Sequence, residues 1–392
     1  MSIIFFIINI KELLPHIHET WTKGRNAMDY EEIIKEQLEK LNLSELEDVM
    51  ESASLESNGL VPNLTVEDII NNAVNGQPIF DTQVMIQTFK DLFFFEMKSS
   101  LILGVQLITI CIVIGLLSNL SNSFGNKAVS KLGIIVCSCF VIGLCLNNFS
   151  ATYDMCSDSL TTMTRIMQIL VPILIPLLIS MGGITTGSVM NPILAGSVTA
   201  FNTVLQSFIL PSVFISSIFI LINSMTERDY VNKLAIFIRG AATFFTGLCV
   251  TFFAGITAIQ GFVTQSADGV LIKTARYSVN NFVPIVGGFA ADSIDMVISC
   301  VGVIKNGVSI LGVIVILGLL IMPLIKLMAI AVVYKVIAIV IEPLGNKQVS
   351  GCMNEMGNSV ITMGVILFLS ALMFLLFITI IIGIGGGNLL KG

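Results

Sequence analysis

From residue 99 onward the chain is a series of apolar runs separated by short polar stretches. Runs at 99–118, 132–149, 165–182, 203–223, 238–262, 307–325, 327–342 and 359–384 approach the roughly 20 residues a helix needs to cross the hydrocarbon of a bilayer. The seventh is short and carries Lys335. With a kink at Pro323, residues 307–342 read instead as one span followed by a surface helix, so the pattern gives seven spans or eight. Before residue 99 the pattern changes. Ile33, Ile34, Leu38 and Leu41 recur at helical spacing among Glu and Lys. Ser44 with Glu47 has the pattern of a capping box. Thr65, with Glu67 and Asp68 close behind it, opens another short helix. Residues 75–80 read as a turn and 81–97 as a helical lead into the membrane. The predicted fold class is all-α: a polytopic membrane protein of 7–8 transmembrane helices with a small acidic helical N-terminal region. That region is too small for a deep core of its own. It is expected to pack loosely on itself or on partners.

Two of the apolar regions are interrupted. Residues 180–202, SMGGITTGSVMNPILAGSVTAFN, hold no charge. Read as helix, Thr185, Ser188, Pro192, Ala195, Thr199, Asn202 and Gln206 form one small, polar stripe. Gly182, Gly183 and Pro192 oppose regular helix. In residues 282–306 a second stripe contains Gly288, Asp292, Asp295, Ser299, Gly302 and Asn306. Carboxylates in such surroundings are costly unless they meet water or a partner. Irregular backbone at membrane depth must be buried in protein or face water, and paired interruptions point to the pathway of repeat-built permeases. The expectation is therefore two re-entrant or broken segments around a polar cavity. Its lining would be Thr185, Ser188, Asn191, Asn202, Asp292, Asp295, Ser299 and Asn306. Lys273, Arg276 and Lys305 are the candidate charge partners. Tight packing through small residues, with no pathway, is the simpler alternative.

Composition sharpens this division. Hydrophobic residues make up 55% and charged residues 12% of the chain, about half the charge of a soluble domain. Residues 1–98 hold 17 acidic and 7 basic side chains, a net of −10; the remainder carries 13 basic and 9 acidic, a net of +4. Neither part has the concentrated basic face of a nucleic-acid binder. Residues 1–24 read as a weak signal-like or anchor segment, 25–98 as the acidic region, 99–386 as a permease-like transmembrane domain and 387–392 as a tail. Lys127 and Lys131 between the first two runs put that loop in the cytoplasm by the positive-inside rule, with Asp154 and Asp158 in an outer loop. The acidic region is then extracytoplasmic.

Little in the chain suggests catalysis. The only histidines, His16 and His18, lie near the start, which excludes a histidine-dependent triad or zinc hydrolase in the membrane part. There is no G-x-x-x-x-G-K-[ST] phosphate loop. GIGGGN at 383–388 follows an apolar run rather than a strand, against a dinucleotide site. Asp292 and Asp295 share one helix face and cannot flank a peptide. The eight cysteines sit mostly inside apolar runs and read as small buried hydrophobes. No cofactor, metal or enzymatic activity is expected.

Residues 273–312, KTARYSVNNFVPIVGGFAADSIDMVISCVGVIKNGVSILG, resemble the signature of the stage III sporulation protein AE family of endospore-forming bacteria. The resemblance rests on Ala275-Arg276-Tyr277, Asn281-Phe282-Val283-Pro284, Gly287, Asp292 and Asp295. GSVMNPILAGSV at 187–198 and the order of acidic region then membrane body are also similar. It implies a multi-pass protein of the mother-cell membrane around the forespore. It also implies a secretion-like channel complex with an ATPase and ring-forming subunits in the intermembrane space. The expected role is to form or support the membrane conduit. A stand-alone secondary transporter for a small solute and a non-conducting scaffold for ring proteins are the alternatives.

Overall fold

In the computed structural model the described residues are 44–56, 65–74, 82–124, 127–181, 191–224, 231–282, 287–344 and 347–383, with backbone alone for 82–85, 117–124, 127–132, 260–282, 287–297 and a few single residues. They form nine α-helices: α1 (Ser44–Glu56), α2 (Val66–Val74), α3 (Thr82–Phe124), α4 (Lys127–Ser180), α5 (Asn191–Val204), α6 (Leu210–Asn223), α7 (Asn232–Phe282), α8 (Gly287–Ile341) and α9 (Lys347–Gly383). A π-helical turn, Leu205–Ile209, joins α5 to α6, and a 3₁₀ turn, Glu342–Leu344, follows α8. No strand occurs among the described residues.

α8 is the central post, because it is apolar nearly all round and a helix of that kind must be buried on every side. Between Leu311 and Leu320 only Leu317 is not fully buried. α9 folds back along it. Ser350 Oγ donates to the Ala338 carbonyl (2.9 Å) near the turn, and Lys305 Nζ reaches the Ile381 carbonyl (3.0 Å) at the far end. α4 also runs antiparallel to α8. Tyr334 Oη donates to Asn148 Oδ1 (3.2 Å), and the Cα of Gly312 comes so close to Leu170 that a methyl there would stand 2.7 Å from Leu170 Cδ1. α3 packs on the same post, with Leu92 against Ile325 and Gly104 against Val333. The α5–α6 rod and α7 close the other side: Ser216 Oγ donates to the Ala235 carbonyl (2.7 Å), and Phe201 meets Phe253 edge-on.

The helices are longer than the apolar runs. Six stretches are long and apolar enough to cross a membrane: Ile86–Ile114, Ile135–Ser180, Pro192–Asn223, Asn232–Ile259, Ile298–Ile341 and Gln348–Gly383. The eight apolar runs fall on these six helical stretches among the described residues because two pairs of runs share a helix. Runs 307–325 and 327–342 are one helix through Pro323. Runs 132–149 and 165–182 are both parts of α4, whose 54 residues extend about 80 Å at 1.5 Å per residue. The polar residues 150–164 are thus helix, not an outer loop, and the orientation argument loses its second loop. The reason is visible in the packing. Phe149, Thr152, Cys156, Leu160 and Met163 are buried at 3–4 spacing, so the core-facing stripe never breaks.

The acidic region does not pack only on itself. Leu46, Met50, Val66, Ile69 and Ile70 join the same hydrophobic cluster as the bundle. The Gly307 backbone lies against α2; a methyl there would stand 3.0 Å from Ile70 Cγ1. α2 begins as its sequence indicates: the Asp68 backbone N–H donates to Thr65 Oγ1 (3.1 Å), and the Thr65 N–H donates to Asp68 Oδ2 (2.9 Å). α1 and α2 therefore dock at the end of the bundle where α9 terminates.

Candidate functional site

α4 ends at Ser180 and α5 starts at Asn191; residues 182–190 between them lie outside the described residues. Thr185 and Ser188 lie outside the described residues, as does the Asn191 side chain. Within 282–306, residues 283–286 lie outside the described residues, and from Gly287 the helix is continuous through Asn306 to Ile341, with no break in that part. The backbones of Lys273, Arg276, Asp292 and Asp295 are helical, and their side chains lie outside the described residues. Ser299 is half-buried and engaged in an interaction.

Three of the expected residues are described in detail. Asn202 is 1% exposed and joins three helices. Its amide donates to the Leu160 carbonyl (3.0 Å) and to Thr164 Oγ1, and its oxygen accepts from Ser370 Oγ (2.8 Å). A buried amide satisfied on both sides fixes register. Next to it Gln206, in the π-turn, donates to Ser157 Oγ (3.2 Å) and Thr161 Oγ1 (2.6 Å). Lys305 is 1% exposed and donates to the Ile381 and Ile382 carbonyls (3.0 and 3.3 Å). These are among the last carbonyls of α9, which have no partner within the helix, and a cation there also suits the helix dipole. Asn306 Oδ1 and Ser309 Oγ, one turn apart beside it, are buried with no hydrogen-bond partner among the described residues.

The larger polar assembly was not visible in the sequence. Arg239 of α7 and Glu355 of α9 form an ion pair (2.5 Å), their side chains 12% and 22% exposed. Arg239 Nη1 also donates to the Glu355 carbonyl (3.1 Å) and to Ser359 Oγ (3.4 Å). On the other side of Glu355, Asn358 Nδ2 donates to Oε1 (3.4 Å), and Lys335 Nζ of α8 donates to Asn358 Oδ1 (2.5 Å) and Asn354 Oδ1 (2.8 Å). The result is one chain of charges and amides across α7, α9 and α8. Arg239, near the start of α7, finds a carboxylate rather than reaching for the membrane interface. Lys335 becomes an interior cation because 307–342 is one helix. The spacing that hints at this is Asn354-Glu355…Asn358 in an apolar helix, three polar groups on adjoining turns. Lys326 lies 4.0 Å from the buried Glu96 of α3.

Fold and polar interior together define an all-helical, multi-pass membrane protein with ionisable groups paired inside its spans. The chain belongs to the stage III sporulation protein AE family, whose sequence profile it matches over residues 64–385. It is 30% identical over 330 residues to the stage III sporulation protein AE of Bacillus subtilis (strain 168), covering 84% of this chain and 82% of that protein. No solved structure matches it.

Proposed function

We propose that this chain is an integral membrane subunit of the mother-cell-to-forespore sporulation complex and forms or supports its membrane conduit. It would sit in the mother-cell membrane around the forespore, with α1 and α2 on the intermembrane side, beside an ATPase and ring-forming subunits. Family membership supports the sporulation role. The observation that carries the conduit is the chain of charges and amides Arg239, Glu355, Asn358, Lys335 and Asn354 between the helices, toward one end of the spans. Ionisable groups inside spans are costly and mark pathways more often than packing.

The test replaces Asp292 and Asp295 by Asn in a spore former. Lost sporulation, with normal membrane insertion and normal recovery of partners, is the expected result. Unimpaired sporulation, with failure only when residues 44–74 are removed, would replace the conduit by a scaffold. Solute flux through vesicles holding this chain alone would replace it by an independent transporter.

A further inference from the structure

α4 exposes an unusual face. Its exposed residues from Asn147 to Gln168 fall on one stripe, at 147, 151, 154, 158, 161, 165 and 168. Apart from Ala151, every one is polar or charged, with Asp154, Asp158 and Arg165 at the centre. Between Phe140 and Ile179 α4 exposes no large hydrophobic side chain. Helices around it behave differently: α3 exposes Ile102 and Val105, and α9 exposes Ile361 and Val365. Those are the side chains of a lipid-facing surface.

Depth makes the face significant. Cys145 meets Met353, and further along Asn202 ties Leu160 to Ser370. α4 and α9 therefore run parallel, and Asp158 stands level with about residue 366. That is the middle of the apolar stretch Gln348–Gly383. Asp154 and Arg165 lie within about 11 Å of it along the axis, inside a hydrocarbon half-thickness of about 15 Å. Gln206 continues the polarity onto the neighbouring rod. Charges at that depth do not face lipid.

We infer that this face of α4 is the wall of a water-filled passage, closed by further copies of the same chain. The inference deepens the conduit reading and rests on it. Copies inserted alike in one membrane are related by rotation about its normal, so each Asp158 lies at the depth of the others. Dry contact between such faces would set like charges together; water between them avoids this. α7 offers the seam on which copies can meet: at Gly240, Gly247 and Gly255 an added methyl touches nothing within 4 Å. Small residues on one helix face let membrane helices approach closely.

The experiment uses the full chain in native membranes, with Cys137→Ser and Cys139→Ser removing the two thiols that are not buried. Thr161→Cys and Asp158→Cys report the face; Ile361→Cys is the lipid-facing control and Asp292→Cys the independent one. A charged, membrane-impermeant thiol reagent should modify positions 158 and 161 at least tenfold faster than 361. Subunit counting by photobleaching should give more than one copy. Thr161→Cys is conservative enough to keep the test open if Asp158→Cys fails to fold. Protection at 158 and 161 with reaction at 292 overturns the wall and leaves the conduit standing. Protection at all three removes both. Reaction in a chain that counts as a monomer overturns closure by copies.

Discussion

Replacing Arg239 by Ala leaves the Glu355 carboxylate, among the described residues, with only the Asn358 amide donating to it (3.4 Å). Breaking a buried ion pair from one side costs about 3–5 kcal/mol, mostly for the charge left behind. Side chains 12% and 22% exposed keep some solvent screening, so about 2–3 kcal/mol is expected here. Glu355→Ala strands Arg239 but leaves it the carbonyl at position 355 and Ser359, so its cost should be smaller, about 1–2 kcal/mol. The double variant removes both charges. It should lose about 1–2 kcal/mol less than the sum of the singles. The assay is SDS titration of the protein in mixed micelles, followed by circular dichroism, on all four members of the cycle. Additive losses, or single losses below about 0.5 kcal/mol, would refute the claim that this pair is desolvated and coupled.

Other outcomes follow from the same geometry. Asn202→Leu removes three interhelical hydrogen bonds, each worth about 0.6 kcal/mol between membrane helices; a loss of about 2 kcal/mol is expected in the same titration, several times that of Ser370→Ala. Gly307→Leu places a side chain where Ile70 and Val66 already stand, so α2 should become sensitive to limited proteolysis while the helical signal of the bundle persists. Among the cysteines, Cys139 is exposed and Cys145, Cys156 and Cys352 are buried; in mild detergent Cys139 should react with a maleimide first, and those three only after unfolding.

The helical class and the membrane setting were legible because hydrophobic runs of span length leave few other solutions. The cap at Thr65 was legible because it is local, a hydroxyl and a carboxylate three residues apart. The fusion of two runs into α4 was not. A window average reads Tyr153, Asp154, Ser157 and Asp158 as a loop, whereas the helix survives on Thr152, Cys156 and Leu160, which face the other way. Periodicity over 141–178, rather than mean hydropathy, holds that signal. Asn202 stands out in the sequence as an amide on a stripe of small residues, but its partners at positions 160, 164 and 370 are distant in sequence. Arg239 and Glu355, 116 residues apart, could be paired only once α7 and α9 were laid side by side.

The π-turn at Leu205–Ile209 sets an angular phase. Each residue of an α-helix advances about 100°, and a π-turn accommodates one residue more than regular winding would. The rod before it and the rod after it are thus offset like two gears on one shaft. One half turns Asn202 toward Ser370 and Leu160, while the other turns Ser216 toward Ala235. Excising a single residue there would straighten the rod and swing Asn202 away from Ser370, unmeshing three helices without altering one side chain among them.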